Sequence, residues 1–155
     1  MLNEEFKILE ILNKYRIEIG VFSSDKERKD EEEKISLGLT NAELMYIHEN
    51  GSPGRIPPRP VLDMTISYCR DKLLNKTINK IIDKVLNDNW KEKEIESELK
   101  KLCTRLQNYA RDIIYLNDGR LEANAPSVAK RKKGNHPLFD TGQLARSITC
   151  QLVKI

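Results

Sequence analysis

Tyr15-Arg16-Ile17-Glu18-Ile19-Gly20-Val21-Phe22 alternates apolar and polar side chains. A period of two places every second residue on one face of an extended chain, so the spacing predicts a half-buried strand over 15–22. Only Phe22 breaks its polar outer face. At the other end of the chain Ile148, Cys150 and Leu152 alternate with Thr149, Gln151 and Val153, which predicts a second strand over 148–154. Pairing the two ties both ends of the chain to one small antiparallel sheet. Two strands cannot bury their apolar face alone, and the helical pattern between them supplies the cover. The expected fold is α+β, with the sheet packed against a long antiparallel helical hairpin spanning about 61–88 and 91–117.

The helices are read from spacing and from their ends. Leu2, Phe6, Leu9 and Leu12 predict a short amphipathic helix before the first strand. Thr40-Asn41-Ala42-Glu43 is a capping box, in which Thr40 and Glu43 satisfy each other's orphan amides. The helix it opens carries Leu44 and Ile47 inward and stops at Gly51, a residue suited to a left-handed end. Residues 51–60 hold four prolines and two glycines, so they form a stiff, shaped connection. Pro60 suits the first turn of a long helix whose stripe runs Leu62, Ile66, Cys69, Leu73, then Leu74, Ile78, Ile81, Ile82, Val85. Asn87-Asp88-Asn89 interrupts it. The next stripe is Ile95, Leu99, Leu102, Leu106, Ala110 and Ile113, ended by Asn117-Asp118-Gly119 with the stop at Gly119. Asp140 is placed to cap a brief helix, with Thr141 and Gly142 leading into it and Gln143 at the capping-box position.

A chain of 155 residues with 39% hydrophobic and 33% charged residues has material for one modest core, so residues 1–155 read as a single domain. Two segments break its periodicity and read as flexible insertions, 24–36 (a mixed-charge run around Asp25–Lys34) and 119–137. No apolar run approaches the ~20 residues that span a bilayer, so no membrane partner is expected. The acidic start Asn3-Glu4-Glu5 does not resemble a signal peptide. Cys69, Cys103 and Cys150 are odd in number and far apart in sequence, which fits reduced cytosolic thiols better than a disulfide framework.

Motifs that suggest chemistry lack their context. Asp140-Thr141-Gly142 matches the aspartic protease triplet, but that fold builds further strands after the triplet and this chain has only 13 residues left. His48-Glu49 begins a zinc-binding helix motif, yet position 52 is Ser and His136 is the sole other histidine. Gly51-Ser52-Pro53-Gly54 is too rich in proline to offer consecutive amides to a phosphate. No catalytic residue, cofactor or metal is therefore expected, and the chain reads as a non-enzyme.

Surface charge is more informative. The net charge is +3, but residues 120–155 hold seven Lys/Arg against two Asp/Glu. Lys130-Arg131-Lys132-Lys133 is the peak; it reads either as a solvated loop or as a docking site for phosphate or an acidic protein face. Arg55-Ile56-Pro57-Pro58-Arg59-Pro60 is pre-ordered, so binding through it loses little entropy. It serves as a turn between helices, and Arg55 and Arg59 are also placed to pair with carboxylates of a neighbour. The alternative function is a small basic nucleic-acid-binding module using the C-terminal cluster, although no aromatic residues interleave it for stacking.

Two stretches together resemble a known family. Tyr46-Ile47-His48-Glu49-Asn50-Gly51 followed by Ile56-Pro57-Pro58-Arg59-Pro60 forms one block. Asn124-Ala125-Pro126-Ser127, Lys133-Gly134, Pro137-Leu138-Phe139-Asp140-Thr141-Gly142-Gln143-Leu144 and Ser147-Ile148 form the other. Their order and spacing resemble the virion morphogenesis proteins of tailed bacteriophages, also called tail-completion, neck or head–tail joining proteins. The likeness covers about 15–23 and 40–155, omits the 24–36 insertion, and departs at Val61, where the family has an aromatic. It implies a non-enzymatic α+β subunit made in the bacterial host cytoplasm and residing in the virion neck. Implied partners are identical copies in a ring, portal-complex connector proteins on the head side, tail terminator or tube proteins, and DNA passing through the channel. On that reading Arg55–Pro60 and Lys130–Lys133 lie at protein interfaces, and Asp140–Leu144 shapes the turn into the last strand.

Overall fold

The computed structural model describes residues 2–22, 38–131, 135–139 and 142–155. In chain order the elements are α1 (Leu2–Leu12), β1 (Tyr15–Gly20), α2 (Asn41–Asn50), α3 (Val61–Tyr68), a π-helical segment (Cys69–Leu74), α4 (Asn75–Asp88), α5 (Glu92–Tyr115), α6 (Pro126–Arg131), α7 (Gln143–Ser147) and β2 (Thr149–Lys154). The fold is α+β, and β1 and β2 pair as a two-stranded antiparallel sheet. The insertion at 24–36 lies outside the described residues. The chain groups into two compact units, one of residues 1–19, 66–107 and 150–155 and the other of residues 20–65 and 108–149.

In the first unit the register of the sheet is marked at three places. The Ile155 amide donates to the Lys14 carbonyl, Lys154 lies over the Tyr15 ring, and Gln151 bonds Glu18. These pairs are in step, so Ile17 opposes Leu152. The core beneath is Ile8, Ile81, Ile95 and Leu99, with Ile11, Leu12, Tyr15, Ile82, Val85 and Leu152 packed against it. Lys80 on α4 reaches Glu98 on α5 at 2.7 Å, a short contact across the hairpin. Asn89 ends α4 in the left-handed conformation (φ 55°), with its amide on the Lys84 carbonyl. Glu92, the first residue of α5, accepts from Lys14 and Lys154 at 3.0 and 2.8 Å. The hydrogen bonds from Lys154 and then Lys14 draw its carboxyl down to about 2.

The three cysteines are free thiols. The Cys150 amide donates to the side chain of Gln107, one turn beyond Cys103 on α5. The neighbouring Cys103 thiol, with burial, holds Cys150 above the ordinary thiol range, and the same pairing draws Cys103 below it.

Several faces differ from the sequence reading. On α1 the buried residue is Ile8, while Phe6 and Leu9 are exposed. The Leu2–Phe6–Leu9–Leu12 stripe was defined by spacing alone, and the narrower Ile8–Ile11–Leu12 edge meets the core. On α3, Val61 and Thr65 are buried instead of Leu62 and Ile66. Thr65 can be buried because its hydroxyl donates to the Val61 carbonyl at 2.8 Å. The π segment then re-phases the apolar face, because each π turn takes up more residues than an α turn, and Ile81 rather than Ile78 becomes fully buried. On α2 the buried side chain is Met45, with Leu44 and Ile47 only half-buried. Helix α5 stops at Tyr115, and the first left-handed residue after it is Asn117 (φ 46°), two residues before the expected Gly119.

Candidate functional site

The second unit brings the two sequence blocks together. Helix α2 begins as predicted. Thr40 Oγ1 accepts from the Glu43 amide, and the Glu43 carboxylate accepts from the Thr40 amide at 2.8 Å. Those bonds, the backbone one first, hold the Glu43 carboxyl below its usual range. The helix ends at Gly51, whose φ of 70° and ψ of −175° suit glycine alone. A Cβ there would lie 2.7 Å from both the Ile56 carbonyl oxygen and the Pro58 nitrogen. The chain then reverses. Ser52 and Ile56 exchange backbone hydrogen bonds of 2.8 and 2.9 Å, with Pro53 and Gly54 (φ 70°) at the tip, the arrangement a Pro-Gly turn favours.

The returning segment is fastened to α2, and α2 in turn to α3. The Arg59 amide donates to the His48 carbonyl at 2.7 Å. The Glu49 carboxylate accepts from the Leu62 and Asp63 amides at 3.0 and 2.8 Å, so it occupies two orphan donors at the start of α3 and complements the positive end of that helix. Pro60 immediately precedes α3, and its carbonyl accepts from Met64. No local pattern announces the Glu49 role, because donor and acceptor are 13 or 14 residues apart.

Arg59 departs from its expected place. Its side chain is buried, and its guanidinium donates to the Glu122 and Ala123 carbonyls at 2.8 and 3.0 Å and to Asn124 Oδ1 at 3.4 Å. It therefore clamps the first block to the segment leading into the second and does not face outward to a neighbour's carboxylates. Burial pulls the Arg59 guanidinium below its ordinary value, partly countered by Glu122.

The described residues of the 119–137 segment, 119–131 and 135–137, include regular structure. They contain α6, opened by Pro126 at the first helical position, a start signal present in the sequence. Asn135 accepts from Asn117 through its carbonyl and from the Asn124 amide through its side chain. His136 contacts the Ile114 carbonyl and stacks on Phe139 at 4.6 Å. Apolar periodicity was missing because side chain-to-backbone hydrogen bonds organise this stretch.

Before the last strand, Gly142 (φ 77°) is the N-cap of α7 and Gln143 its first residue, so Gln143 is not at the third helical position of a capping box. A Cβ on Gly142 would meet Arg146 Nη1 at 3.0 Å and Phe139 Cε2 at 3.1 Å. Asp140 and Thr141 lie outside the described residues, as do Lys132 and Lys133. Arg111 then fixes the approach to β2 by donating to the Ile148 and Arg146 carbonyls.

These elements enclose a cavity of about 310 Å³. Leu39, Leu44, Ile56, Pro57, Ala125, Val128, Leu138 and Leu144 supply its apolar wall, and His48, Arg59 and Asn124 supply polar atoms. Arg55 and Arg131, both exposed, bring positive charge to it. Of the predicted interface residues, Arg55, Ile56, Pro57, Arg59 and Arg131 meet at this cavity. Pro58 and Lys130 are exposed and do not line it. Such a site suits an apolar side chain accompanied by negative charge. Among the described residues no group of His, Cys, Asp and Glu has the arrangement of a metal site, and no helix is long and apolar enough to cross a membrane. Comparison with protein-family models, curated proteins and solved structures returns no match to this chain.

Proposed function

We propose that this chain is a structural, non-enzymatic subunit of the neck of a tailed bacteriophage or prophage, repeated in a ring that completes the tail or joins head to tail. One observation carries the reading. Arg59 of the first block that resembles that family bonds Glu122 and Ala123, which lead into the second block more than 60 residues away, and reaches the block's first residue, Asn124. The cavity and its arginines then form a contact site on a pre-ordered scaffold, where binding loses little conformational entropy. In a ring each weak contact is repeated, and avidity makes the assembly firm. Its partners are identical copies, the portal-side connector, and the tail terminator or tube, with DNA crossing the channel.

The test is electron microscopy of particles made without this protein. The expected result is filled heads and separate tails with few joined, infective virions. Normal numbers of joined particles would refute the proposal. If the chain instead acts as a nucleic-acid-binding module, purified protein binds DNA with an affinity that falls steeply with salt, and particle joining is unaffected by its loss.

A further inference from the structure

Helix α1 leaves an apolar face uncovered. Ile8 is buried in the core of the first unit, whereas Phe6 and Leu9 are 61% and 52% exposed. Phe6 and Leu9 are three residues apart, so they share one face of the helix. On a helical wheel Glu5 borders that face on one side and Glu10 on the other, and both are exposed. Two large apolar side chains between two carboxylates form an acidic, amphipathic knob.

The cavity of the second unit has the complementary character. Its wall is apolar, through Leu39, Leu44, Val128 and Leu138, and Arg55 and Arg131 bring positive charge. Among the described residues no ion pair joins a carboxylate to either guanidinium. We propose that the Phe6–Leu9 face of α1 in one copy docks in the Arg55/Arg131 cavity of the next copy, with Glu5 and Glu10 facing the arginines. The inference rests on the ring reading above and names the surfaces through which the ring forms. Because knob and socket are different patches of the same chain, the contact is head-to-tail. Each copy offers one of each, and such contacts propagate from copy to copy, closing into a ring where the rotation between neighbours divides a full turn. Complementary charge sets the register and speeds encounter, and the apolar side chains supply most of the affinity.

The experiment is sedimentation velocity of the full chain over a wide concentration range, with circular dichroism confirming that each variant is folded. Wild type is expected to form oligomers larger than a dimer, with self-association that weakens as salt rises. Phe6→Glu blocks the knob and Arg131→Glu blocks the socket, and each weakens self-association about 30-fold or more. Mixing those two variants leaves one intact knob and one intact socket, so the mixture forms 1:1 dimers and nothing larger. Pairing Glu5→Arg and Glu10→Arg with Arg55→Glu and Arg131→Glu in one chain restores assembly. Oligomers unchanged by either blocking variant would overturn this interface while leaving the ring reading intact. A wild type that is monomeric at every concentration would also overturn it, whereas the ring reading itself falls only if particles lacking the protein join normally.

Discussion

Replacing Arg59 tests whether the two blocks form one device. The guanidinium makes two short bonds, to the Glu122 and Ala123 carbonyls, and a longer one to Asn124 Oδ1. A hydrogen bond involving a charged group contributes about 1.5–3 kcal/mol net. Glu122 and Ala123 are exposed residues, so water can replace the arginine at their carbonyls, and the lower end of that range applies. With the packing of the buried stem also lost, Arg59→Ala should destabilise the protein by about 3 kcal/mol. At a urea slope of about 2 kcal/mol per molar, the midpoint falls by about 1.5 M. Arg59→Lys keeps the charge and most of the stem but lacks the planar fork, so it recovers only about half of the loss. Urea denaturation followed by circular dichroism gives both numbers. Amide exchange should speed up at residues 122–129 in Arg59→Ala before it does so in the sheet. An Arg59→Ala midpoint within about 0.3 M of wild type, or a lysine variant no better than alanine, would refute the clamp.

Three further outcomes follow from the same geometry. Glu49→Gln removes the charge that complements the start of α3 and aims an amide NH₂ at backbone donors, costing about 1–2 kcal/mol in thermal unfolding. Gly51→Ala forces a Cβ to within 2.7 Å of two backbone atoms at a φ of 70°, so a loss of about 3 kcal/mol or more is expected in urea unfolding. Glu92 has a folded-state value of about 2 against an ordinary 4.5. The contribution of a depressed carboxyl is complete above the unfolded value and is lost as pH falls through the folded one. Stability should therefore decline from about pH 5 towards pH 2, and Glu92→Gln should flatten that slope in urea titrations at several pH values.

The strands, the capping box at Thr40 and Glu43, the Gly51 stop and the α5 stripe were legible because each is a local matter. A capping box needs only residues three apart, and a strand face or helix stripe repeats within one element. The buried edge of α1 was misread because Leu2, Phe6, Leu9 and Leu12 satisfy the same spacing as Ile8, Ile11 and Leu12, and spacing does not say which edge finds a neighbour. The α3 stripe was misread by one residue because a threonine can be buried once its hydroxyl bonds its own helix, and the buried face of α4 was shifted because the π segment before it re-phases the helix.

The candidate site divides along the same line. Its raw materials were visible as Arg55–Pro60 and the basic run that includes Lys130 and Arg131, and the chain's own chemistry made them stiff and cationic. Whether an arginine there faces outward or inward was decided by long-range contacts. Arg59 found three acceptors 63–65 positions away, while Arg55 and Arg131 remained exposed at a shared cavity. Glu49 and Gly51 likewise acquire their roles from backbone atoms that only folding brings near. Local propensity is a property of a few consecutive residues and survives in the unfolded chain. Hydrogen-bond partners distant in sequence, and the cavity they frame, exist only after the chain has closed on itself.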